Sequence, residues 1–200
     1  ENENLCNWVH LPVQSGSDRV LRMMKRGHTA ENYINRIDRI RANHREISLT
    51  TDLIVGFPGE TDNDFAETLK LAEYCEYDAA YVFKYSPRAG TPAAALADDI
   101  PPAVKTARFL ELESVLKASQ RRSLDKEVNK IHKVLAEGMS TKSNSHLNGH
   151  TTCHKIVNFE AGSGHLGQIV DVRISESKSN TLYGRIVGHA DAVKTANEPS

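Results

Sequence analysis

Residues 47–61, with the sequence ISLTTDLIVGFPGET, decide the fold of the first half of the chain. The apolar and β-branched residues at 47–55 predict a buried strand. The GFPG run at 56–59 then predicts a type II turn, because proline followed by glycine suits its two central positions. Thr61 is expected to be the N-cap of a helix with an acidic first turn. This stretch is therefore a strand, a tight turn and the start of a helix.

The flanking segments continue this alternation in both directions. Residues 5–13 predict a second buried strand that runs into the turn QSGS at 14–17, and residues 79–83 predict a third. Two helices are expected between the first two strands, with N-caps at Ser17 and Thr29 and ends at Gly27 and about Asn43. Strands that alternate with helices indicate an α/β fold with a parallel sheet.

The second half of the chain predicts a long helix followed by a small β structure. Residues 103–128 contain neither Gly nor Pro and predict a helix that links two modules. Short β-rich runs follow, broken by Gly, Ser and Asn, and these predict a barrel or sandwich of about 60 residues. The runs are residues 133–136, 155–159, 168–175 and 182–187. Residues 150–154 (HTTCH) are expected to form a polar loop, because no second cysteine completes a zinc pattern.

Composition narrows the class of protein. The 200 residues are 39% hydrophobic and 26% charged, with a net charge of −1, and no apolar run approaches a membrane span. Cys6, Cys75 and Cys153 are too far apart for a local metal motif and fit a reducing cytosol. Residues 1–100 carry a charge of −5 and residues 101–200 a charge of +4, so the second half favours an anionic partner.

Two predicted turns carry groups suited to a ligand, at the carboxyl ends of strands where βα folds bind theirs. Gln14 offers an amide. Asp52 offers a carboxylate in an otherwise apolar strand, where it needs a hydrogen-bond partner. A ribose diol suits both groups. The alternative is that Asp52 bonds a neighbouring loop and that Gly56 and Gly59 only shape a turn, and the residue types alone leave both interpretations open.

Four segments resemble the radical SAM methylthiotransferases in order and spacing. They are HLPVQSGS at 10–17, MKR at 24–26, TDLIVGFPGET at 51–61 and YSPRAGTPAA at 85–94. Residues 125–188 are similar to that family's TRAM domain, an OB-like RNA-binding barrel. The loop at 86–94 is similar to the MiaB type, which adds a methylthio group to N6-isopentenyladenosine beside the tRNA anticodon. Ala89 replaces a usual proline, which leaves open sibling enzymes that modify threonylcarbamoyladenosine or a ribosomal protein.

The resemblance implies both a fold and cofactors. The fold is α/β: the C-terminal half of a radical SAM partial (β/α) barrel with a linking helix (1–124), then the small all-β TRAM barrel (125–188) and a frayed tail (189–200). The cofactors are S-adenosylmethionine and two 4Fe-4S clusters, whose cysteine motifs do not occur in this sequence. The chain is therefore expected to be an inactive part of the enzyme, with no catalytic residue and no metal ligand of its own.

The resemblance also implies individual contacts. Gln14 and Asp52 would bind the ribose of S-adenosylmethionine, Arg26 would bind its carboxylate, and Gly56 and Gly59 would let the backbone approach its adenine. The tRNA anticodon stem-loop is the expected RNA partner. Its candidate contacts are Lys133, Lys142, Lys155 and Arg173, with the cluster Arg36, Arg39 and Arg41 as a competitor.

The remaining expectations concern the cellular setting and the rival interpretations. The resemblance implies a cytoplasmic enzyme without a membrane partner, reduced by a donor such as flavodoxin or ferredoxin. A rival of another class is a tRNA-binding fragment without catalysis, favoured by the mild basic surplus of residues 125–188. Another radical SAM class, such as an oxygen-independent porphyrinogen oxidase, is disfavoured by the TRAM-like segment. The oligomeric state is not predicted.

Overall fold

The computed structural model describes residues 5–43, 45–140 and 145–188. The helices are α1 (Asp18–Met23), α2 (Ala30–Arg41), α3 (Asp62–Cys75) and α4 (Pro102–Asp125), with 3-10 helices at Pro92–Ala95 and Ser163–His165. The strands are β1 (Trp8–His10), β2 (Ser48–Val55), β3 (Ala79–Lys84), β4 (Ile131–Met139), β5 (His146–Thr151), β6 (Ile156–Glu160), β7 (Ile169–Ser177) and β8 (Leu182–Ile186). Within these ranges no helix is long and apolar enough to cross a membrane.

The chain divides into two compact units. One is Val9–Gln120, and the other combines the described residues up to Trp8 with those from Arg121 onward. The first residues were expected to belong to the N-terminal domain. In the structure the Asn7 amide donates to the Thr152 carbonyl at 2.8 Å, and Trp8 stacks on His154 with ring centroids 4.3 Å apart. These contacts attach the N-terminal segment to the second unit.

The first unit is built on a three-stranded sheet in the order β1-β2-β3. β2 and β3 run parallel, with Thr50 opposite Ala79 at one end and Val55 opposite Lys84 at the other. This confirms the predicted parallel sheet. β1 is much shorter than the predicted strand at 5–13, because Pro12 has no amide hydrogen to continue the ladder.

The three predicted N-caps, Ser17, Thr29 and Thr61, are confirmed, because each side chain accepts a hydrogen bond from a backbone amide in the first turn of its helix. The predicted end of α1 at Gly27 is wrong. The helix ends at Met23, and Lys25 takes the left-handed conformation there, with a φ of 58°. Helix limits read from a glycine therefore fail where another residue adopts that conformation.

β2 separates a packed face of the first unit from an open one. The packed face buries Leu49, Leu53 and Val55 against α2, α3 and α4. On the opposite face Asp52 and Ile54 are only half-buried. Their register partners on β3, Tyr81 and Phe83, are 64% and 50% exposed. Polar and aromatic side chains are thus available together on this open face.

The second unit is a closed barrel in the strand order β4-β5-β6-β8-β7. β6 and β8 are parallel and the other pairs are antiparallel. This confirms the predicted small all-β barrel, and closure leaves no strand with an unpaired edge. Its core consists of Leu124, Val134, Ala136, Leu147, Val157, Phe159, Val172, Ile174 and Leu182.

The strand β5 was not predicted, and the expectation of a loop at 150–154 is wrong for its first two residues. The inward positions of β5 are Leu147, Gly149 and Thr151, so only one of the three is a large apolar residue. Gly149 has to be glycine, because a Cβ atom there would overlap the carbonyl oxygen of Leu135 on β4. The alternation that identifies a strand is therefore weak in this segment.

Candidate functional site

Gln14 lies between β1 and α1 and is fixed to β2 through its backbone. Its amide donates to the Asp52 carbonyl at 2.9 Å, and its carbonyl accepts from the Ile54 amide at 2.9 Å. Its φ is 76°, a conformation that costs a side-chain-bearing residue about 1–3 kcal/mol and recurs at ligand sites. The residue is 7% exposed, and among the described residues its side-chain amide has no hydrogen-bond partner. A ligand hydroxyl would supply one.

Asp52 projects from the open face of β2. Its Oδ2 atom lies 3.5 Å from Nε2 of His10, whose other ring nitrogen is 3.0 Å from the Thr50 hydroxyl. About 28% of the Asp52 side chain is exposed. Its partner is thus a histidine on the adjacent strand and not a loop residue. The carboxylate keeps acceptor capacity for a ligand.

The turn at 56–59 has the expected form, and backbone conformation and packing within the protein account for its two glycines. Gly59 has a φ of 74°, and the Glu60 amide donates to the Phe57 carbonyl at 2.9 Å, as in a type II turn. Gly56 has a φ of 70°, and a Cβ atom there would overlap the Lys105 side chain. Turn geometry and packing therefore explain these glycines without an adenine, which leaves their contact with the cofactor a proposal.

Glu60, which no sequence motif singled out, holds this turn from the buried side. Its side chain is fully buried, its Oε2 atom accepts from the Gly56 amide at 2.7 Å, and the same atom accepts from Arg108 at 2.7 Å. Burial raises the pKa of Glu60, and the Gly56 amide and Arg108 oppose that shift. The Oε1 atom has no partner among the described residues. Its only sequence signal was an acidic residue at the end of the turn.

Asp64 joins both candidate turns to the start of α3. It accepts hydrogen bonds from the Ser17 hydroxyl at 2.6 Å and from the Thr61 amide at 2.8 Å. Arg19 pairs with the same carboxylate and donates from Nη2 to the Gly59 carbonyl at 2.5 Å. Burial opposes ionisation of Asp64, but the Arg19, Ser17 and Thr61 hydrogen bonds outweigh it and hold its pKa below the ordinary range.

Thr68 on α3 holds the other end of the first turn. Its hydroxyl accepts from the Gly16 amide at 3.0 Å and lies 3.2 Å from the Ser15 hydroxyl. A Cβ atom on Gly16 would overlap the Glu67 carbonyl, so the turn can approach α3 only with glycine here. α3 therefore positions the turns that carry Gln14 and Gly59 relative to each other.

Arg26 is not brought to this site by any contact. It is exposed, follows the end of α1, and within the described ranges its guanidinium makes no hydrogen bond or ion pair. Its assignment to the methionine carboxylate therefore stays a prediction.

The four candidate RNA contacts have different surroundings. Lys155 is nine-tenths buried and donates to Glu127 at 2.7 Å, which is a structural role. Lys133 is 67% exposed and lies 3.3 Å from Asp171. Arg173 donates to the Asn129 carbonyl at 3.3 Å. Lys142 lies outside the described residues.

The competing arginine cluster on α2 is also divided. Arg36 and Arg39 are exposed. Arg41 donates to the carbonyls of Tyr74 and Cys75, at 3.2 and 2.5 Å, and so caps the end of α3. In this cluster, therefore, Arg41 has a structural role, and Arg36 and Arg39 are the two cations available for RNA.

None of the three cysteines forms a disulfide within the described residues. Cys6 is exposed, Cys75 is buried and Cys153 is half-buried. In the part of the chain that the structure describes, no three His, Cys, Asp or Glu side chains converge in a way that could hold a metal ion.

Comparison with known proteins identifies the two units. Residues 1–72 match the radical SAM superfamily, and residues 125–187 match the TRAM domain. The chain is 43% identical over 196 residues to tRNA-2-methylthio-N(6)-dimethylallyladenosine synthase of Alkalilimnicola ehrlichii, covering 98% of this chain and 44% of that relative. The chain thus combines a radical SAM segment with a TRAM domain, and it is similar to tRNA methylthiotransferases. This confirms the resemblance read from the four sequence segments.

A second methylthiotransferase relative gives the same result. The synthase of that name in Methylococcus capsulatus is 46% identical over 186 residues, which cover 93% of this chain and 41% of that relative. The chain thus spans less than half the length of these curated relatives. Among solved structures, the Escherichia coli radical SAM enzyme coproporphyrinogen III oxidase (HemN) aligns with 95% of this chain and 48% of its own, at a TM-score of 0.49 and 17% identity.

Proposed function

We propose that this chain is the cofactor- and RNA-binding part of an enzyme that adds a methylthio group to N6-isopentenyladenosine beside the tRNA anticodon. The observation that carries the proposal is the backbone hydrogen bond that joins Gln14, which follows β1, to Asp52 within β2. Both side chains keep hydrogen-bonding capacity, and both lie in a sequence similar to synthases named for that nucleoside.

The two side chains have the donor and acceptor groups that a ribose diol requires. The Gln14 amide would donate to one hydroxyl, and the Asp52 carboxylate would accept from the diol. Glu60, Asp64 and Arg19 would hold the two turns in place before the ligand arrives. When bound, S-adenosylmethionine and two 4Fe-4S clusters would supply the radical, sulfur and methyl chemistry. We place the cluster ligands outside this chain, and assign reduction to a flavodoxin or ferredoxin in the cytoplasm.

Calorimetric titration of the chain with S-adenosylmethionine tests the cofactor site. Asp52→Asn should weaken binding about tenfold or more, because a hydrogen bond to a charged acceptor contributes about 1.5–3 kcal/mol. Gln14→Ala should weaken it too. Glu73→Gln is the matched control, since it removes an equal charge from an exposed position on α3. Equal affinities for all variants would remove Gln14 and Asp52 from the site.

A chimera tests the reaction. The corresponding part of the Methylococcus capsulatus synthase would be replaced by this chain, and tRNA from cells lacking their own enzyme would be analysed by mass spectrometry. We expect methylthiolated isopentenyladenosine. Methylthiolated threonylcarbamoyladenosine in its place would assign the chain to a sibling enzyme. An intact, cluster-loaded chimera without either product would contradict the proposal.

The second candidate function is RNA binding without catalysis. It is favoured by the TRAM match over residues 125–187 and by the lack of a cluster-ligand motif in the sequence. On this proposal the TRAM barrel contacts the anticodon stem-loop of tRNA. Filter binding of a stem-loop RNA by the isolated chain tests it, and affinity should fall with salt as phosphate contacts release counterions.

A further inference from the structure

Two arginines face each other on the outside of the TRAM barrel. Arg173 on β7 and Arg185 on β8 are register partners in an antiparallel pair. Their neighbours on each strand, Val172 and Ile174 on β7 and Leu182 on β8, point into the core. Because successive side chains alternate between faces, both guanidiniums emerge on the same outer surface. Like charges that lie opposite each other destabilise a strand pair, so a bound anion between the two arginines would relieve their repulsion.

The surrounding carboxylates do not supply that anion. Glu160 on β6 is the register partner of Arg185, yet within the described residues the two side chains form no ion pair. Asp171 is paired with Lys133 at 3.3 Å, and Glu176 lies 3.7 Å from Lys178. Arg173 has the neutral Asn129 carbonyl as a partner. The two guanidiniums therefore keep donors for an external oxyanion.

An aromatic ring lies on the same surface. Tyr183 is two residues from Arg185 on β8 and therefore faces the same side of the barrel. Nζ of Lys178 lies over its ring, 4.3 Å from the centroid. A nucleic-acid base that displaced the Lys178 ammonium from the Tyr183 ring would stack on that ring. The displaced ammonium would then lie beside the RNA backbone. Phe159, by contrast, is fully buried in the core and unavailable for stacking.

We propose that Arg173, Arg185 and Tyr183 bind one nucleotide unit of RNA, the arginines sharing a phosphate and the tyrosine stacking on a base. Guanidiniums suit this role because each presents a planar fork of donors to phosphate oxygens. The inference rests on the proposed RNA binding by the TRAM barrel and deepens it. The proposed RNA contact thus lies on β7 and β8. Lys155 is excluded from it, because its ammonium is paired with Glu127.

Titration of an unmodified tRNA anticodon stem-loop at several salt concentrations tests the inference. The variants are Arg173→Gln, Arg185→Gln, their double variant, Tyr183→Ala and Tyr183→Phe. Lys126→Gln is the matched control, because it removes one exposed positive charge from the same unit. Melting temperatures of all variants accompany the titrations, and removing one of two opposed arginines should leave the barrel as stable as before or more stable.

A shared phosphate makes a specific prediction. Each arginine variant should bind several-fold more weakly than Lys126→Gln, and the double variant should lose less than the product of the two single effects. The slope of log affinity against log salt should fall by about 0.7–0.9, the value of one phosphate, in the single and double variants alike. Tyr183→Ala should bind about fivefold or more weakly, and Tyr183→Phe should restore affinity.

The outcomes separate this inference from the proposed function. If the wild-type chain binds RNA but the arginine variants match Lys126→Gln, the β7–β8 contact is wrong and RNA binding stands. Independent effects with a slope change of two phosphates would refute the shared phosphate. A wild-type chain that does not bind the stem-loop would overturn the RNA-binding proposal and this inference together.

Discussion

The open sheet and the closed barrel use their polar groups in opposite ways. In the sheet unit, buried polar side chains such as Glu60 and Asp64 hold strained or tightly turned backbone next to an open face. In the barrel the core is apolar apart from the buried Glu127–Lys155 ion pair, and the groups suited to a partner stand on the outside. A ligand site of the first kind is inseparable from its scaffold. A surface of the second kind can change without disturbing the fold.

The largest expected effect is on the barrel interior. Gly149→Ala places a Cβ atom into the Leu135 carbonyl of the neighbouring strand, and a closed barrel cannot move one strand alone. We expect a loss of more than about 4 kcal/mol of unfolding free energy, in the exceptional range for a point substitution. Urea unfolding followed by circular dichroism measures it. Gly162→Ala is the control, since nothing lies within 4 Å of its new methyl group; equal stabilities would show that the barrel yields easily.

The next effect concerns the one buried ionic cluster identified in the described part of the barrel. Glu127 accepts from Lys155 at 2.7 Å and His132 at 2.9 Å. Burial opposes its ionisation, but these partners outweigh burial and lower its pKa to about 2 from an ordinary 4.5. Glu127→Gln should cost about 3 kcal/mol, because it removes the carboxylate that neutralises the buried Lys155 cation.

The same carboxylate gives the barrel a defined acid sensitivity. A group whose folded pKa lies below its unfolded one contributes full stability above pH 4.5 and loses it as the pH falls towards 2. Acid titration of wild-type chain should therefore show this loss, and Glu127→Gln should flatten it. Glu113→Gln, which breaks an exposed pair with Lys117, should leave the acid profile unchanged.

A smaller effect is expected in the scaffold of the sheet unit. Asp64→Asn weakens the bonds from Ser17, Arg19 and Thr61 and should cost about 2 kcal/mol, as hydrogen bonds to a charged acceptor do. Hydrogen exchange should quicken at the amides of both turns, near Gly16 and Gly59, while the barrel amides stay protected. Faster exchange throughout the chain would show that the two units do not respond separately.

The smallest effect is expected at the proposed ligand contact itself. Asp52→Asn should change the unfolding free energy by less than about 0.5 kcal/mol, because its carboxylate is partly exposed and lies 3.5 Å from His10. Thermal unfolding measures this. A marked destabilisation would make Asp52 part of the scaffold, and the contrast between structural and ligand-binding carboxylates in this unit would fail.

Sequence patterns predicted the elements whose signals are local. The caps at Ser17, Thr29 and Thr61 depend on the first turn of each helix, and β2 depends on β-branched residues and the apolar run at 53–55. The scaffold of the candidate site could not be predicted, since Arg19 meets Asp64 across 45 positions and Glu60 meets Arg108 across 48. Such pairs leave no periodicity. β5 failed for a related reason, because the need for Gly149 arises on another strand.

The insertion of β8 between β6 and β7 has a consequence for the making of the protein. β8 is the last strand of the barrel in chain order, so a chain emerging from the ribosome has every other strand before it can close. Until residues 182–186 emerge, β6 and β7 present unpaired edges to other nascent chains. Arg185 arrives on the strand that closes the barrel. The proposed phosphate contact and the closed barrel therefore form at the same point of synthesis. A chain terminated before β8 would have neither.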